Sequence, residues 1–509
     1  MGDGLMRTDK EIETQYYGKF KIIRNKFRKY EPTDLIVRTL DYANQGNGKF
    51  ENIQRRPWAC LLLVKWILLD DNFNKAYRNQ ATDAQLLDIL KLTSELESHN
   101  RMPDEYDSHL HFFRKYIHQQ FIFQQPLSFE KFGRQFILFG DIEENHRIRK
   151  NFFKRHNIDI NDFLYLALTT VARFHKSNSL DITNEWYSSI SESLTKKLPQ
   201  FFSATSKSVA TLRKYLLDTQ SKKRETSEFY EQSPLINSPF ISINGSYWIP
   251  HRKLFFRSME NFIYNSLSED SLEDFNRLFT NKFEIHTERV IDSAGLEYIR
   301  EQELVKQKDT GKVVDFLIID HKTKSKFWVE AKCVSASKKL MLNDGSMELL
   351  KATKANISKA IDQCCDIANW AHNRPYVNTL AIKDYEEFAI IITYGELHIL
   401  SGEMFSHLTQ SKIESEVKAR YEHPLPMDRI FFASIGEFEQ IIKAHIEGLA
   451  SISETLNRIQ EAEYSAVEGN KRMAIGQYLS EWGLAYGSHP LIVDRFSEEV
   501  HNLRRYMKR

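Results

Sequence analysis

The 509-residue sequence predicts an α+β multidomain protein, and three observations carry that reading. From about residue 10 to about 220, apolar residues recur at three- and four-residue spacing, as in NDFLYLALTTVARFHKS and VATLRKYLLDTQ, which is the period of an amphipathic helix. Three short strand-like runs follow at 298–305, 313–320 and 326–333, with a further one, FAIIITY, at 388–394. Beyond about 411, helical spacing returns around one more strand, RIFFASI. A chain this long exceeds one compact core. The expected division is an all-helical region over 1–225, a mixed α/β region over 226–410 and a mostly helical region over 411–509.

Each element has a local reason. WACLLLVKWILL (58–69) is too short to span a bilayer and contains Lys65, so it reads as a buried helix. SKKRETSEFYEQSPLINSP (221–239) is polar with two prolines and reads as a linker. Asn244-Gly245, between β-rich runs, signals a hairpin. Over 271–294, Phe275, Phe279, Phe283 and Val290 share a helical face, with Ser271 placed to cap the start and Gly295 just past the end. A helix is expected from about Leu349 to His372, and one long amphipathic helix through Phe438, Ile442, Leu449, Ile452, Leu456 and Ile459.

Composition narrows the function. Hydrophobic residues are 41% and charged residues 27%, with a net charge of +1, so any attraction to a polyanion must be local. Four cysteines, Cys60, Cys333, Cys364 and Cys365, with no CxxC pair, argue against a disulfide framework or a structural zinc site. The N-terminus has no apolar signal-peptide core, no membrane span is expected, and a cytoplasmic location follows as the expectation.

The chemistry concentrates in VVDFLIID (313–320) and FWVEAKC (327–333). If HKTK (321–324) is a four-residue hairpin loop, Asp320 faces Ser325, and counting back sets Asp315 opposite Glu330. Opposed residues share a face about 4.5–5.5 Å apart, and Lys332, two residues on, joins them. Two close carboxylates repel, and burial in apolar strands raises their proton affinity further. Lys332 balances one charge. A hard divalent cation, Mg²⁺ or alternatively Mn²⁺, would balance the other through oxygen ligands.

An Asp on one strand, then fourteen residues, then Glu-Ala-Lys on the next strand resembles the PD-(D/E)xK superfamily of restriction-endonuclease-like nucleases. The resemblance spans about residues 270–400, with Val314 where a proline often precedes the aspartate. It implies an α/β/α nuclease core with a mixed sheet, and hydrolysis of phosphodiester bonds with DNA as the first expected substrate. It further implies metal held by Asp315, Glu330 and the main-chain carbonyl of Ala331, with Lys332 serving the attacking water. Glu284, with Glu288 as its alternative, matches an acidic residue on the preceding helix, and Gln363 matches a glutamine of some branches, with Lys359 one turn before it. Helical regions fused to such a core resemble prokaryotic restriction or anti-phage proteins, in which the helical part would sense a trigger or restrain the nuclease. A self-association or a triggering protein partner is part of that expectation.

Between Lys306 and Lys359 stand twelve lysines, no arginine and six acidic residues, a plausible phosphate-binding surface in which Lys338, Lys339 and Lys359 are the candidate contacts. KFKIIRNKFRKY (19–30) is a second basic stretch, readable as a nucleic-acid grip or as the solvated face of a helix. Arg149 and His156, in RKNFFKRH, loosely resemble the Arg-x(4–6)-His motif of all-helical HEPN-type ribonucleases, although Lys150 replaces the usual polar residue. GNGK (46–49) lacks the spacing and the Ser/Thr of a nucleoside-triphosphate loop. The alternatives to a DNA nuclease are therefore an RNA-cleaving enzyme, acting for example on tRNA, and a non-catalytic nucleic-acid-binding scaffold.

Overall fold

The computed structural model describes residues 8–45, 55–75, 78–100, 108–125, 127–177, 179–220, 224–269, 271–308, 311–336, 340, 345–373, 384–465 and 471–506. It is a mixed α+β protein with two sheets. The chain divides into two compact units: one of residues 1–106, 115–271 and 495–509, the other of residues 107–114 and 272–494. The boundaries fall at 106/107, 114/115, 271/272 and 494/495, where the sequence reading sets them at 225/226 and 410/411.

The first unit is mainly helical. Its Pro57–Leu69 helix is buried along nearly its whole length, and the Lys65 ammonium is matched by Glu231 at 3.0 Å and Glu228 at 3.6 Å. Those partners come from the stretch expected to be a linker. Its described part, 224–239, is instead packed, with Glu228, Phe229, Tyr230 and Leu235 buried in short 3-10 turns, because its acidic residues serve buried groups rather than solvent. The region expected to be all-helical also contributes two short strands, β1 (Asp181–Ile182) and β2 (Ser206–Ser208). They join β3 (Phe240–Ile243) and β4 (Ser246–Trp248) in the order β1-β4-β3-β2. Strands of two or three residues carry no periodic signal, which is why they escape the sequence. The β3–β4 turn forms as expected, with Asn244 and Gly245 both at positive φ (50° and 84°), the requirement of a type I′ turn.

The second unit holds a five-stranded mixed sheet, β5-β6-β7-β8-β9, formed by Glu297–Arg300, Phe316–Asp320, Ser325–Lys332, Glu386–Thr393 and Ile430–Ser434. The first three strands are antiparallel and the last three are mutually parallel. β7 is central, and Phe388–Ile392 of β8 is one uninterrupted buried apolar run, as a strand covered on both faces should be. Lys332, the last residue of β7, and Cys333, just after it, show what covers each face. Lys332 meets Gln363 of the Lys359–Asn373 helix at 3.1 Å, whereas Cys333 meets Thr280 of the Leu272–Ser293 helix at 3.1 Å. Because consecutive side chains point oppositely, those two helices lie on opposite faces.

Three expectations need correction here. The run expected as strand 298–305 is strand only to Arg300; Glu301–Gln307 is a helix, with two acids in its first turn, Lys306 in its last and Leu304 as its buried anchor. The helix expected over 349–372 begins at Ser346, extends to Asn373 and contains one wide turn at Lys354–Ser358. The long C-terminal helix is two, Ile435–Ile446 and Ile452–Ser465, broken where Gly448 takes φ 68°. Among the described residues, no helix is long and apolar enough to cross a membrane.

Candidate functional site

β6 and β7 pair in the register counted from the hairpin, with Asp320 opposite Ser325 and Phe316 opposite Val329. Continued by one residue, that register sets Asp315 beside Glu330. Asp315 lies just before β6, and its Oδ2 accepts the Ala331 N–H at 2.6 Å. Within a strand, a residue's N–H and C=O point to the same edge, so the Ala331 carbonyl also faces the Asp315 side.

Glu330 is buried, only 1% exposed, because it sits near the end of the central strand, on the face covered by the Lys359–Asn373 helix. One of its oxygens pairs with the Lys332 ammonium, while the other, Oε2, is buried with no hydrogen-bond partner among the described residues. Gln363 closes the arrangement. Its Oε1 accepts from Lys332 at 3.1 Å and its Nε2 donates to the Val313 carbonyl at 3.1 Å, which ties the helix to the chain entering β6.

Electrostatics follow from this crowding. Burial, then the charge of Glu330, pushes Asp315 up to about 7, against the opposing effects of the Ala331 N–H and Lys332. Burial likewise raises Glu330, opposed by the charge and hydrogen bond of Lys332. For Lys332, burial disfavours the charged form, but Glu330 and Asp315 together outweigh it and hold the ammonium above its ordinary range. Glu284 approaches from the Leu272–Ser293 helix; burial, then the charge of Asp315, pushes it up to about 7. Its alternative, Glu288, faces elsewhere and pairs with Arg300 and with the Tyr298 hydroxyl at 3.0 Å.

Asp315, Glu330, Lys332, Gln363 and Ala331 are therefore brought together, with Glu284 within their field. Glu301 is a carboxylate the sequence reading misses. Its charge acts on Asp315, Glu330 and Glu284, and its backbone N–H donates to the Asp315 carbonyl at 2.8 Å. It is hidden because EQELVKQ reads as the continuation of a strand, although acids in the first turn and a lysine in the last are a helix signature.

The lysine-rich surface is partly internal: Lys308 and Lys326 are buried, paired with Asp366 at 2.9 Å and Glu387 at 2.5 Å. Lys312 is exposed but pairs with Asp362. Lys351, Lys354 and Lys359 are exposed along one helical stretch. Lys338 and Lys339 lie outside the described residues, as does GNGK at 46–49. The basic 19–30 stretch forms the end of the Asp9–Phe27 helix and the residues after it, with Phe20, Ile23 and Phe27 buried. Three of its cations have acidic partners: Lys19 with Glu95 at 2.5 Å, Lys26 with Asp88, and Arg28 with Asp70 at 2.7 Å. Arg149 and His156 are not assembled as a pair: Arg149 binds Asp159 at 2.7 Å and the Ile142 carbonyl at 3.0 Å, while His156 binds Ser266 at 2.5 Å. His251, at the start of the Arg252–Glu260 helix, is buried and accepts the Lys253 N–H at 3.2 Å, and burial lowers it to about 3. All four cysteines are buried and free, and burial drives the Cys364 thiol, beside the site, well above its ordinary range.

Comparison with protein-family models, curated proteins and solved structures returns no match.

Proposed function

We propose that this chain is a metal-dependent phosphodiesterase acting on nucleic acid, a nuclease of the PD-(D/E)xK kind with DNA as its first expected substrate. One observation carries the reading. Glu330 is buried beside a half-buried Asp315, a single ammonium pairs with Glu330, and the other Glu330 oxygen is left without a partner among the described residues. Burying an unpaired polar atom costs about 1–3 kcal/mol, more when it is charged. A divalent cation would remove that cost, and hard oxygen donors are what Mg²⁺ or Mn²⁺ selects.

The donor set fits such an ion. Asp315 and Glu330 would hold it with the Ala331 carbonyl, and a bound ion would polarise a phosphate oxygen and lower the pKa of a water. Lys332, kept protonated by its two carboxylates, would orient the attacking water or stabilise charge developing on the phosphate. Gln363 would hold the Lys332 ammonium in place. Glu284 would accept a proton near neutral pH or add an outer oxygen donor. Exposed Lys351, Lys354 and Lys359 would meet the phosphate backbone. The helical unit suits a sensor or restraint, as in prokaryotic defence against phage.

The test is incubation of the full chain with single- and double-stranded DNA, plasmid, tRNA and other RNA, each with Mg²⁺, Mn²⁺ or EDTA. Cleavage should need the metal and vanish in Asp315→Ala and in Glu330→Ala. Cleavage of RNA alone would move the substrate to the RNA reading. Nucleic-acid binding without cleavage or any calorimetric Mg²⁺ or Mn²⁺ signal would select the scaffold reading and defeat the enzyme.

A further inference from the structure

Away from the carboxylate site, the first unit contains a cleft of about 330 Å³, within the range of small-molecule sites. The end of the Arg147–His156 helix, β2, the Val209–Thr219 helix and the Phe262–Ser268 helix all contribute to its wall. Its charges are uneven. Arg155 pairs with Glu269 at one side. Lys207, half-buried on β2, has no carboxylate within ion-pair distance among the described residues. Its ammonium has the Asn237 carbonyl at 3.4 Å and the face of the Tyr215 ring at 4.9 Å. Burial disfavours the charged lysine, Glu269 favours it and Arg155 repels it.

The rest of the wall is polar donors and aromatic surface. The His156 ring meets the Ser266 hydroxyl at 2.5 Å, and the Asn237 amide donates to the Tyr215 hydroxyl at 3.4 Å. Phe262 lines the cleft while stacking on Phe163 behind it, with ring centroids 4.8 Å apart. Lys65, buried deeper in the same unit, has Glu228 and Glu231 against it. Lys207 instead lines the cleft with only a carbonyl and a ring face at its ammonium.

We propose that this cleft binds a small phosphate monoester, a nucleotide or a sugar phosphate, with its phosphate on Lys207 and Arg155 and its organic body against Tyr215 and Phe262. The anion would relieve the Lys207–Arg155 repulsion and share Arg155 with Glu269. The assignment is independent of the carboxylate site and holds whether or not the chain cleaves nucleic acid.

The experiment is calorimetric titration of the full chain with AMP, ribose 5-phosphate, inorganic phosphate and adenosine. At least one ester should bind more tightly than inorganic phosphate, and adenosine should not bind. AMP binding alone identifies a nucleotide site, and ribose 5-phosphate binding as well identifies a site that reads the sugar phosphate. Lys207→Met, which keeps the stem, should weaken the ester about tenfold to a hundredfold, the range of a charge-assisted hydrogen bond. Glu269→Gln, at a side chain 56% exposed and so tolerant of change, should tighten it by removing the carboxylate that competes for Arg155. Failure of both esters to bind, unchanged affinity in Lys207→Met, or weaker affinity in Glu269→Gln would each overturn the proposal.

Discussion

Asp315→Asn tests the burial of the two carboxylates without any assumption about substrate. Burial and Glu330 raise Asp315 from 3.8 to about 7. A carboxylate whose folded pKa is raised holds its proton more tightly in the folded state, so its stabilising contribution is complete below about pH 4. It is lost as pH rises through about 7. A rise of about 3 units at 1.36 kcal/mol each is about 4 kcal/mol. Asn cannot ionise, and its Oδ1 can still accept the Ala331 N–H. In EDTA at pH 8, Asp315→Asn should therefore be more stable than the wild type by up to about 4 kcal/mol, with the two proteins converging near pH 4. Glu437 and Glu463, in the same unit, are also raised to about 7 by burial, so the wild-type slope alone is not diagnostic. The difference between the two proteins is. Hydrogen exchange of the β7 amides, corrected for intrinsic rates at each pH, reads it without requiring the whole chain to unfold in one step. Saturating Mg²⁺ should then narrow the gap at pH 8, because only the wild type keeps both of the proposed ligands; an ion at a hundred times its dissociation constant contributes about 2.7 kcal/mol. A gain below about 1 kcal/mol at pH 8, or equal gains at pH 4 and pH 8, would refute the reasoning.

Three further outcomes follow from the same geometry. Lys332→Met keeps much of the stem's packing and removes the charge, so cleavage should fall by at least a hundredfold while binding of one labelled duplex in Ca²⁺ persists; cleavage at the wild-type rate would make Lys332 purely structural. Gln363→Leu should cost about 1–3 kcal/mol in denaturant unfolding by stranding the Val313 carbonyl and one donor of Lys332, and Gln363→Glu, which keeps an acceptor for Lys332, should recover more of the cleavage rate than of the stability; equal losses in both would show that Gln363 only packs. Charge reversal of Lys351, Lys354 and Lys359 together should weaken nucleic-acid binding and lower the slope of log affinity against log salt by about 0.7–0.9 for each phosphate that is no longer neutralised, whereas an unchanged slope means these lysines face only solvent.

The geometry of the candidate site is more legible in the sequence than the fold around it, for a physical reason. A hairpin register is set by loop length and side-chain alternation, both local, so counting from HKTK places Asp315, Glu330 and Lys332 on one face. Gln363 is more than thirty residues from Glu330, and its contact with Lys332 depends on how a helix packs on the sheet, which spacing alone does not give. Glu301 is obscured by an ambiguous period: EQELVKQ has one buried residue, Leu304, too few to separate a strand from a short helix. The stretch 221–239 resembles a linker because composition shows polarity but not the buried Lys65 and Trp66 that its acids satisfy. β1 and β2 exist through pairing with β4 and β3, and nothing within two or three residues announces them.

Buried charge elsewhere in the chain is the control for the functional reading. Lys65 has Glu231 and Glu228; Lys308 has Asp366; Lys326 has Glu387; the buried His286 has Glu439 at 2.8 Å. Glu437 has no cation within ion-pair distance among the described residues, but the backbone N–H groups of Gly476 and Ser434 and the Ser434 hydroxyl all donate to it, at 2.6, 2.7 and 2.8 Å. In each of these cases the cost of removing charge from water is met within the protein, as structural burial requires. The buried Arg114 and Asp320 also keep unpartnered atoms among the described residues, but neither stands in a cluster of like charge such as the one around Asp315. Asp315, Glu330 and Glu284 share one ammonium, a buried oxygen of Glu330 lacks a partner among the described residues, and Glu301 adds a fourth negative charge to the field. Were the Asp315 carboxylate kept for the fold alone, Asp315→Asn would cost stability at pH 8, which is why the sign of that effect separates function from packing. A gain in stability joined to a loss of metal-dependent cleavage is the signature of charge kept for chemistry. A loss of both would make Asp315 a structural acceptor for the Ala331 N–H.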